Sequence, residues 1–164
     1  GNMTINLATN FATGSWANND RIFGFESVST GSGNDSVTGT SGANIIRTYD
    51  GDDTIFGGAG NDTLFGGDGA DIIKSNGGND TMFGGAGADW FNFRLDDGND
   101  IIRDFQDDID TIELEDLFPN DAAHALTAAT EINGHVFFDF GPDGTLWVEN
   151  TTKAALLNDL DINF

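Results

Sequence analysis

The chain contains no cysteine and has only two prolines, one tyrosine and six lysine or arginine residues. Without cysteine, neither a disulfide framework nor a thiolate metal site can form. No apolar run approaches the ~20 residues that a membrane-spanning helix requires, and the first residues do not resemble a signal peptide. We therefore predict a chain without a membrane span.

The scarcity of basic residues leaves a strongly acidic chain. Asp and Glu total 28 against six basic residues, which gives a formal net charge of -22 over 164 residues. Nucleic acids and anionic membranes are therefore excluded as partners. Acidic composition alone would favour disorder, but 38% hydrophobic residues and 14 Phe argue for a folded chain. Such a chain needs bound cations to offset the repulsion among its carboxylates.

A nine-residue repeat runs through the middle of the sequence, from Thr30 to Asn92, and recurs at 95–103 after a two-residue slip. Position four is Gly in all eight copies. Position six is acidic in every copy but one, and its residues are Asp35, Asn44, Asp53, Asp62, Asp71, Asp80, Asp89 and Asp100. Position eight is apolar, with Val37, Ile46, Ile55, Leu64, Ile73, Met82, Phe91 and Ile102.

Each column of the repeat has its own physical cause. Glycines permit positive φ and close backbone approach, so the first six residues predict a tight turn with exposed carbonyls. Asp at the end of that turn offers a hard oxygen ligand of the type that calcium prefers. The single apolar residue between polar or β-branched neighbours is typical of a short strand that points one side chain inward. The pattern predicts an all-β fold, a right-handed parallel β-roll in which two nonapeptides form one coil.

The repeat resembles the GGxGxDxUx nonapeptide of RTX (repeats-in-toxin, hemolysin-type calcium-binding) proteins over about half of the chain. The resemblance implies that calcium lies between turns eighteen residues apart, held by Asp side chains and by carbonyls of both turns. One edge would stack Asp35, Asp53, Asp71 and Asp89, and the other Asn44, Asp62, Asp80 and Asp100. The implied carbonyl donors include Gly58, Gly60, Gly67, Gly69, Gly85 and Gly87. About four to six Ca²⁺ ions are expected.

Departures from the consensus indicate which of the implied sites should bind calcium more weakly. Asn44 has lost a charge, so the gap between residues 44 and 62 should bind calcium more weakly. The Thr48-Tyr49-Asp50 turn lacks the leading glycines, and the slip before Leu95 disturbs the 80/100 gap. The strongest gaps are therefore predicted at 53/71, 62/80 and 71/89.

The flanks of the repeat differ in character, which predicts three parts: residues 1–29, the β-roll at 30–105, and a small α+β cap at 106–164. Residues 21–29 form a degenerate copy with Gly24 and Val28 in phase. Residues 101–114 resemble the segment that closes the roll in serralysin-type domains. There, Asp104, Asp108 and Asp110 either ligate a terminal calcium or form a solvated acidic turn.

The cap itself is predicted from local patterns. A helix begins at Asn120 or Asp121 after Pro119 and continues to about Ala129. Residues 136–140 and 145–150 flank a GPDG turn and predict a hairpin, followed by a helix over 152–157. The last residues, 160–164, resemble the uncleaved type I secretion signals of the family, which implies export by type I machinery from a Gram-negative bacterium.

No catalytic motif accompanies these features. The carboxylates fall at calcium-turn spacing, and His124 and His135 lack an HExxH frame or a comparable one. We therefore predict a non-catalytic, secreted module of a larger protein, which folds when calcium binds outside the cell. The larger protein can carry an enzyme elsewhere.

An alternative function is binding of an acidic polysaccharide, with a surface-layer or adhesin role as a third. Position nine of the second set of strands should face outward and stack Arg47, Phe65, Phe83 and Arg103. Two aromatic rings flanked by two of only six basic residues suit an anionic sugar polymer. The RTX modules of alginate-modifying enzymes resemble this chain. The opposing interpretation is that the cap covers this stripe.

Overall fold

The computed structural model describes residues 1–14, 20–21, 24–94, 97–115, 125–127 and 129–161. Within these residues the protein is a parallel β-solenoid built from two sheets, so the predicted all-β roll is confirmed. The helical parts that the structure describes are short. They are residues 125–127, a 3₁₀ turn at Gly141–Asp143 and a helix at Lys153–Leu156.

The first sheet has nine strands. In spatial order they are β3 (Asp20–Arg21), β2 (Phe11–Gly14), β1 (Met3–Asn6), β5 (Ser36–Thr38), β7 (Thr54–Ala59), β9 (Ile72–Gly77), β11 (Trp90–Phe93), β13 (Thr111–Leu114) and β17 (Leu160–Asp161). In this order, every neighbouring pair of strands from β1 to β17 is parallel. The hairpin β1–β2 and strand β3 add antiparallel pairs at the N-terminal end.

The second sheet has eight strands. In order they are β4 (Ser27–Ser29), β6 (Ile45–Asp50), β8 (Thr63–Asp68), β10 (Thr81–Ala86), β12 (Gly98–Ile102), β16 (Gly144–Val148), β15 (His135–Asp139) and β14 (Thr130–Ile132). Strand β4 aligns Val28 with Ile46, as the degenerate copy at 21–29 predicts. Residues 22–23 of that copy lie outside the described part of the chain.

The core lies between the two sheets and is one side chain thick along each coil. All eight position-eight residues are completely buried, so the predicted inward column is confirmed. Parallel pairing places each inward residue beside the one eighteen positions later, as Val37 beside Ile55 and Ile46 beside Leu64. The inward side chains therefore form one continuous column within each sheet. Each repeat therefore buries one apolar side chain, and residues on either side of it face the turns or solvent.

The strands are longer than the repeat pattern predicts. The first three residues of the turn were expected to leave the sheet, yet β7 continues to Ala59 and pairs Gly58 with Asn76. The same extension occurs in β8, where Gly67 pairs with Gly85. Glycine has no Cβ, so the stacked backbones approach closely enough to keep the ladder through this region.

The C-terminal residues extend both sheets. Strand β13 pairs with β11, and β16 pairs in parallel with β12, so each adds the next rung to the roll. The predicted hairpin is confirmed by the antiparallel pairing of β15 with β16. The predicted second helix forms at Lys153–Leu156, where Thr152 Oγ1 accepts a 3.2 Å hydrogen bond from Ala155 N–H. The first predicted helix falls mostly on residues outside the described ones, although 125–127 are helical.

None of the helices in the described part of the chain is both long and apolar enough to cross a membrane.

Candidate metal centre

Two ladders of side chains run along the edges of the roll, where the turns lead into the strands. On the first edge, which leads into the first sheet, three carboxylates each accept a hydrogen bond from the backbone N–H of the residue eighteen positions earlier. Asp35 N–H donates to Asp53 Oδ1 at 2.7 Å, Asp53 N–H to Asp71 Oδ1 at 2.8 Å, and Asp71 N–H to Asp89 Oδ1 at 3.0 Å. The sequence repeat therefore brings these four carboxylates into one stack.

The second edge, which leads into the second sheet, repeats the arrangement. Asn44 N–H donates to Asp62 Oδ1 and Asp62 N–H to Asp80 Oδ1, both at 2.7 Å. Asp80 N–H donates to Asp100 Oδ1 at 2.9 Å, although twenty residues separate this pair. The slip before Leu95 therefore leaves the 80/100 step in register. Leu95 and Asp96 themselves lie outside the described residues.

The second carboxylate oxygen of the central Asp residues is buried and accepts no hydrogen bond. This holds for the Oδ2 atoms of Asp53, Asp62, Asp71, Asp80 and Asp89. A buried carboxylate oxygen without a partner is strongly disfavoured, because its solvation has been removed and nothing replaces it. A hard divalent cation satisfies such an oxygen directly. Five buried Oδ2 atoms in repeating positions therefore fit calcium.

The orphaned oxygens face the first residue of their own repeat. A Cβ added to Gly57 would lie 2.6 Å from Asp62 Oδ2 and 2.6 Å from the carbonyl oxygen of Ser75 in the next coil. Both oxygens thus border the small space that the missing side chain leaves. Gly66 has the same relationship to Asp71 Oδ2 and the Gly84 carbonyl. The space is therefore lined by oxygen from two successive turns.

Position one is a feature that sequence reasoning missed. Glycine there was interpreted as a conformational requirement, but Gly57, Gly66 and Gly84 do not have positive φ. The requirement is steric, since a Cβ on Gly57, Gly66 or Gly84 would lie within 2.6 Å of the position-six carboxylate. Thr48 and Ser75 hold the same position in two other copies, and both are buried. A small residue at position one in seven of the eight copies was the available signal.

The glycines predicted as carbonyl donors lie at the ends of strands β7, β8 and β10 or in the turns that follow them. All six have positive φ: Gly58, Gly60, Gly67, Gly69, Gly85 and Gly87. A Cβ on Gly85 would collide with the Gly67 carbonyl oxygen, and one on Gly87 with that of Gly69. These two carbonyls therefore point along the stack toward the next turn, which places their oxygens between coils.

Main-chain oxygens are needed because side chains alone do not complete a site. Among the described residues, no group of three or more Asp, Glu, His or Cys side chains lies close enough to hold an ion. Calcium takes six to eight oxygen ligands, so carbonyls must supplement the carboxylates at each gap.

Asn44 differs from the Asp residues that follow it. Its Oδ1 accepts hydrogen bonds from Thr40 N–H at 2.6 Å and Thr40 Oγ1 at 3.1 Å, and its Nδ2 donates to the Glu26 carbonyl at 3.4 Å. The side chain is thus saturated by neutral partners and brings no charge. Weaker calcium binding at the 44/62 gap stays a prediction.

The three Asp residues of the predicted terminal site are not brought together. Asp104 accepts hydrogen bonds from Gly84 N–H at 2.9 Å and Gly85 N–H at 3.1 Å. Asp110 accepts one from Asp89 N–H at 3.1 Å, which makes it the next member of the first-edge ladder. Asp108, in contrast, is exposed. Burial is the larger cause of the raised pKa of Asp89, and the nearby charges of Asp110 and Asp104 also help to raise it.

Burial dominates the electrostatics of both ladders. Removal from water raises the pKa of Asp62 and Asp89 to about 6, of Asp71 and Asp80 to about 7, and of Asp100 to about 8. Hydrogen bonds from backbone N–H groups oppose the shift, while neighbouring carboxylates add to it. Without a cation, the charged state of these groups is therefore less favourable in the folded roll than in water.

The outward stripe predicted on the second sheet is formed, but its members contact one another. The rings of Phe65 and Phe83 stack at 4.7 Å with an interplanar angle of 7°, and Arg47 Cζ lies 4.5 Å from the Phe65 ring centre. Arg103 instead forms a 2.6 Å ion pair with Glu149, which follows β16. The C-terminal residues therefore neutralise one of the two positive charges of the stripe.

Of the two histidines, His124 lies outside the described residues. His135 begins β15, and its Nδ1 accepts a 3.0 Å hydrogen bond from Asn150 N–H. The predicted export signal is described only in part. Leu160 and Asp161 form β17, and residues 162–164 lie outside the described chain.

Comparisons with known proteins agree with the repeat. A family model described as the RTX calcium-binding nonapeptide repeat (4 copies) matches residues 29–64, 56–91 and 65–102. Because those matches end at residue 102, the serralysin-like character of the following segment stays a prediction. No curated protein matches the chain.

Two solved structures are similar to the protein. The AlgE6R3 subunit of the Azotobacter vinelandii mannuronan C5-epimerase is 25% identical, with a TM-score of 0.49 over 79% of this chain and 78% of that one. The extracellular lipase LipA from Serratia marcescens is 15% identical, with a TM-score of 0.46 over 85% of this chain. The matched region spans 39% of the lipase.

Proposed function

Because residues 29–102 carry RTX calcium-binding nonapeptide repeats, which bind calcium, we propose that this chain needs calcium between successive turns to fold. The observation that supports this most directly is the set of five buried Asp Oδ2 atoms that accept no hydrogen bond. A bound cation supplies the missing partner and offsets part of the net charge of -22.

The strongest sites in this proposal are the 53/71, 71/89 and 62/80 gaps. In each, both Asp residues have an orphaned Oδ2 and are joined by a ladder hydrogen bond. The 44/62 gap is the weakest, since Asn44 brings no charge and has neutral partners. Together with partial sites at the ends of the ladders, about four to six ions are bound.

Calcium contributes a large part of the free energy of folding in this proposal. Extracellular calcium modules have dissociation constants of ~10⁻⁴–10⁻³ M. At a tenfold excess, each site adds about 1.4 kcal/mol by mass action. Four to six such sites supply roughly 6–8 kcal/mol, which is comparable to the whole stability of a typical domain.

The same linkage suggests a biological role. Cytosolic calcium is too low to fill sites of this affinity, so the chain stays extended during export and folds outside the cell. The module thereby serves secretion and folding of a larger protein, through type I machinery of a Gram-negative bacterium. The module is non-catalytic, and any enzymatic activity belongs to another part of that protein.

Far-UV circular dichroism of the full chain tests the folding proposal. In EDTA the β-sheet signal should be largely lost, and CaCl₂ should restore it cooperatively, whereas MgCl₂ at the same concentration should not. Magnesium is the matched control because it demands octahedral geometry and retains its waters. A β-sheet spectrum in EDTA equal to that in calcium would refute the proposal.

Acidic-polysaccharide binding, as in an adhesin module, is a second candidate function. The stacked rings of Phe65 and Phe83 with Arg47 beside them support it. The ion pair between Arg103 and Glu149 counts against it, because it cancels half of the positive charge of the stripe. Titration of the calcium-loaded chain with polymannuronate decides the question. Binding should weaken when Phe65 and Phe83 are both changed to Ala, and unchanged binding would reject this candidate.

A further inference from the structure

A second surface, on the outer side of the first sheet, has features of a ligand site. Ile72, Lys74, Trp90 and Glu113 line a groove of about 230 Å³ there. Ile72 and Trp90 lie opposite each other on β9 and β11, and Glu113 on β13 is the partner of Asn92. The groove thus spans three adjacent strands of the roll, and none of its side chains belongs to the calcium ladders.

The indole of Trp90 is held in place although it is exposed. Its Nε1 donates a 3.1 Å hydrogen bond to Glu113 Oε2, and Asn92 Nδ2 donates to the same oxygen. Trp90 is nevertheless 37% exposed, and Ile72 beside it is 41% exposed. A fixed aromatic ring next to an exposed aliphatic side chain is a preorganised apolar platform, which loses little entropy when a ligand binds.

The charged and polar residues in and beside the groove, which we call its polar wall, are balanced in charge. Glu115 lies 3.8 Å from Lys74 Nζ and 3.2 Å from Arg94 Nε, and Asn92 Nδ2 donates to Glu115 at 2.9 Å. Lys74 and Arg94 therefore offset Glu113 and Glu115. The rest of the chain is strongly acidic. An anionic ligand gains nothing from this wall and is repelled by the remainder of the protein.

We propose that this groove binds a pyranose ring of a neutral oligosaccharide. The C–H face of a sugar ring packs on the negative face of an indole, whose quadrupole attracts the weakly positive hydrogens. Hydroxyl groups at the rim can accept from Lys74 Nζ and donate to Glu113, which provides the few polar contacts that fix orientation. The volume is below the ~300 Å³ that drug-sized ligands need, so it suits one ring of a longer chain.

Isothermal titration calorimetry of the full, calcium-loaded chain tests this assignment. The probes are cellohexaose and maltohexaose as neutral ligands and hexamannuronate as the anionic one. At least one neutral hexaose should bind, and hexamannuronate should bind more weakly. Trp90→Ala should weaken binding by about tenfold or more, because the stacking platform is removed.

Two further variants distinguish the effect of losing the Trp90 platform from the effect of losing the fold. Ile45→Ala removes an exposed apolar side chain at the equivalent repeat position on the other sheet and should leave the affinity unchanged. Trp90→Phe retains an aromatic face but loses the hydrogen bond to Glu113, so its affinity should fall between those of the parent and Trp90→Ala. Circular dichroism in calcium reports folding of each variant, so a loss of fold is distinguished from a loss of binding.

Three results would overturn the assignment: no heat of binding from either neutral hexaose at millimolar concentration, unchanged affinity in both Trp90 variants, or tighter binding of hexamannuronate. The groove is not part of a calcium site, so each of these results leaves the proposed role of calcium intact.

Discussion

Asp71 is bound to Asp53 through only one of its two carboxylate oxygens. Its Oδ1 accepts the Asp53 backbone N–H at 2.8 Å, whereas its Oδ2 is buried and accepts no hydrogen bond. The first oxygen joins successive coils through a hydrogen bond, and the second is the oxygen that our proposal assigns to calcium. This division of roles within one side chain allows the two contributions to be tested separately.

Asp71→Asn should weaken calcium binding while it preserves the ladder. The amide retains an oxygen for the Asp53 N–H, but the charge that faces both the 53/71 and 71/89 gaps is lost. We expect the calcium concentration at the folding midpoint to rise by about threefold to tenfold, since loss of one or two sites removes about 1.4 kcal/mol each. Calcium titration followed by circular dichroism measures this midpoint.

Asp139→Asn is the control for charge, because it makes the same change on an exposed residue of the C-terminal hairpin. Its midpoint should stay close to that of the parent. Equal midpoints for Asp71→Asn and Asp139→Asn would show that net charge, and not the ladder carboxylate, governs calcium binding.

Asn44→Asp should have the opposite effect. It restores the charge that the second edge lacks, so the 44/62 gap should gain affinity and the calcium midpoint should fall. In EDTA the same change adds repulsion toward Asp62 and should further destabilise the fold. Calorimetric stoichiometry and midpoint together check this; a midpoint equal to or higher than the parent's contradicts the prediction.

The apparent calcium affinity should fall as the pH falls from about 8 to about 6. Burial raises the pKa of Asp62 to about 6, of Asp71 to about 7 and of Asp100 to about 8, and each must be deprotonated to bind calcium. Protons therefore compete with calcium across this window. Calcium midpoints measured at several pH values should rise toward acid, and constant midpoints would contradict the assignment of these groups as ligands.

The metal-free fold should respond to pH in the other direction. A carboxyl group whose folded pKa is raised stabilises the fold below its unfolded pKa of 3.8, and this stability is lost as the pH rises through about 6 to 8. In EDTA, β-sheet content should therefore increase on acidification, which circular dichroism at constant ionic strength can follow.

Gly57→Ala should disrupt one proposed calcium site, because it adds a methyl group to the space beside Asp62 Oδ2. The added Cβ would lie 2.6 Å from Asp62 Oδ2 and from the Ser75 carbonyl oxygen, which are both buried. We expect the calcium midpoint to rise by several-fold, and the variant to lose about 1–3 kcal/mol of stability in calcium from overpacking. Urea unfolding in calcium measures the stability.

Gly77→Ala is the matched control, since a Cβ there meets nothing within 4 Å and its φ is not positive. Its stability and midpoint should remain close to those of the parent. If the two variants lost stability equally, the loss would be explained by the change in backbone freedom from Gly to Ala and not by the clash with Asp62 Oδ2.

The sequence predicted much of the fold because its repeat is strictly local. Asp at position six and an apolar residue at position eight recur in phase, and parallel stacking of identical turns then fixes which residues meet. The buried column from Val37 to Ile102 and the ladder steps at eighteen-residue spacing follow from that periodicity. The hairpin at His135–Val148 was predictable for a similar reason, since its turn residues and alternating strands lie close together in sequence.

Features that depend on distant contacts were not predictable. The 80/100 step stays in register despite the slip, as the hydrogen bond from Asp80 to Asp100 and the pairing of Met82 with Ile102 show. Asp110, and not Asp108, continues the first-edge ladder, since the twenty-one residues after Asp89 follow no fixed period. The steric role of Gly57 likewise required knowledge of where Asp62 Oδ2 lies.

The sequence by itself therefore determined a parallel β-roll of calcium-binding repeats and its two edges, because the columns that specify them recur every nine residues. The tertiary structure decided which carboxylate oxygens are left without partners and how the C-terminal strands extend both sheets. It also decided that Trp90 and Glu113, which lie 23 residues apart in the sequence, line one groove. These outcomes depend on distances between coils, which local periodicity does not encode.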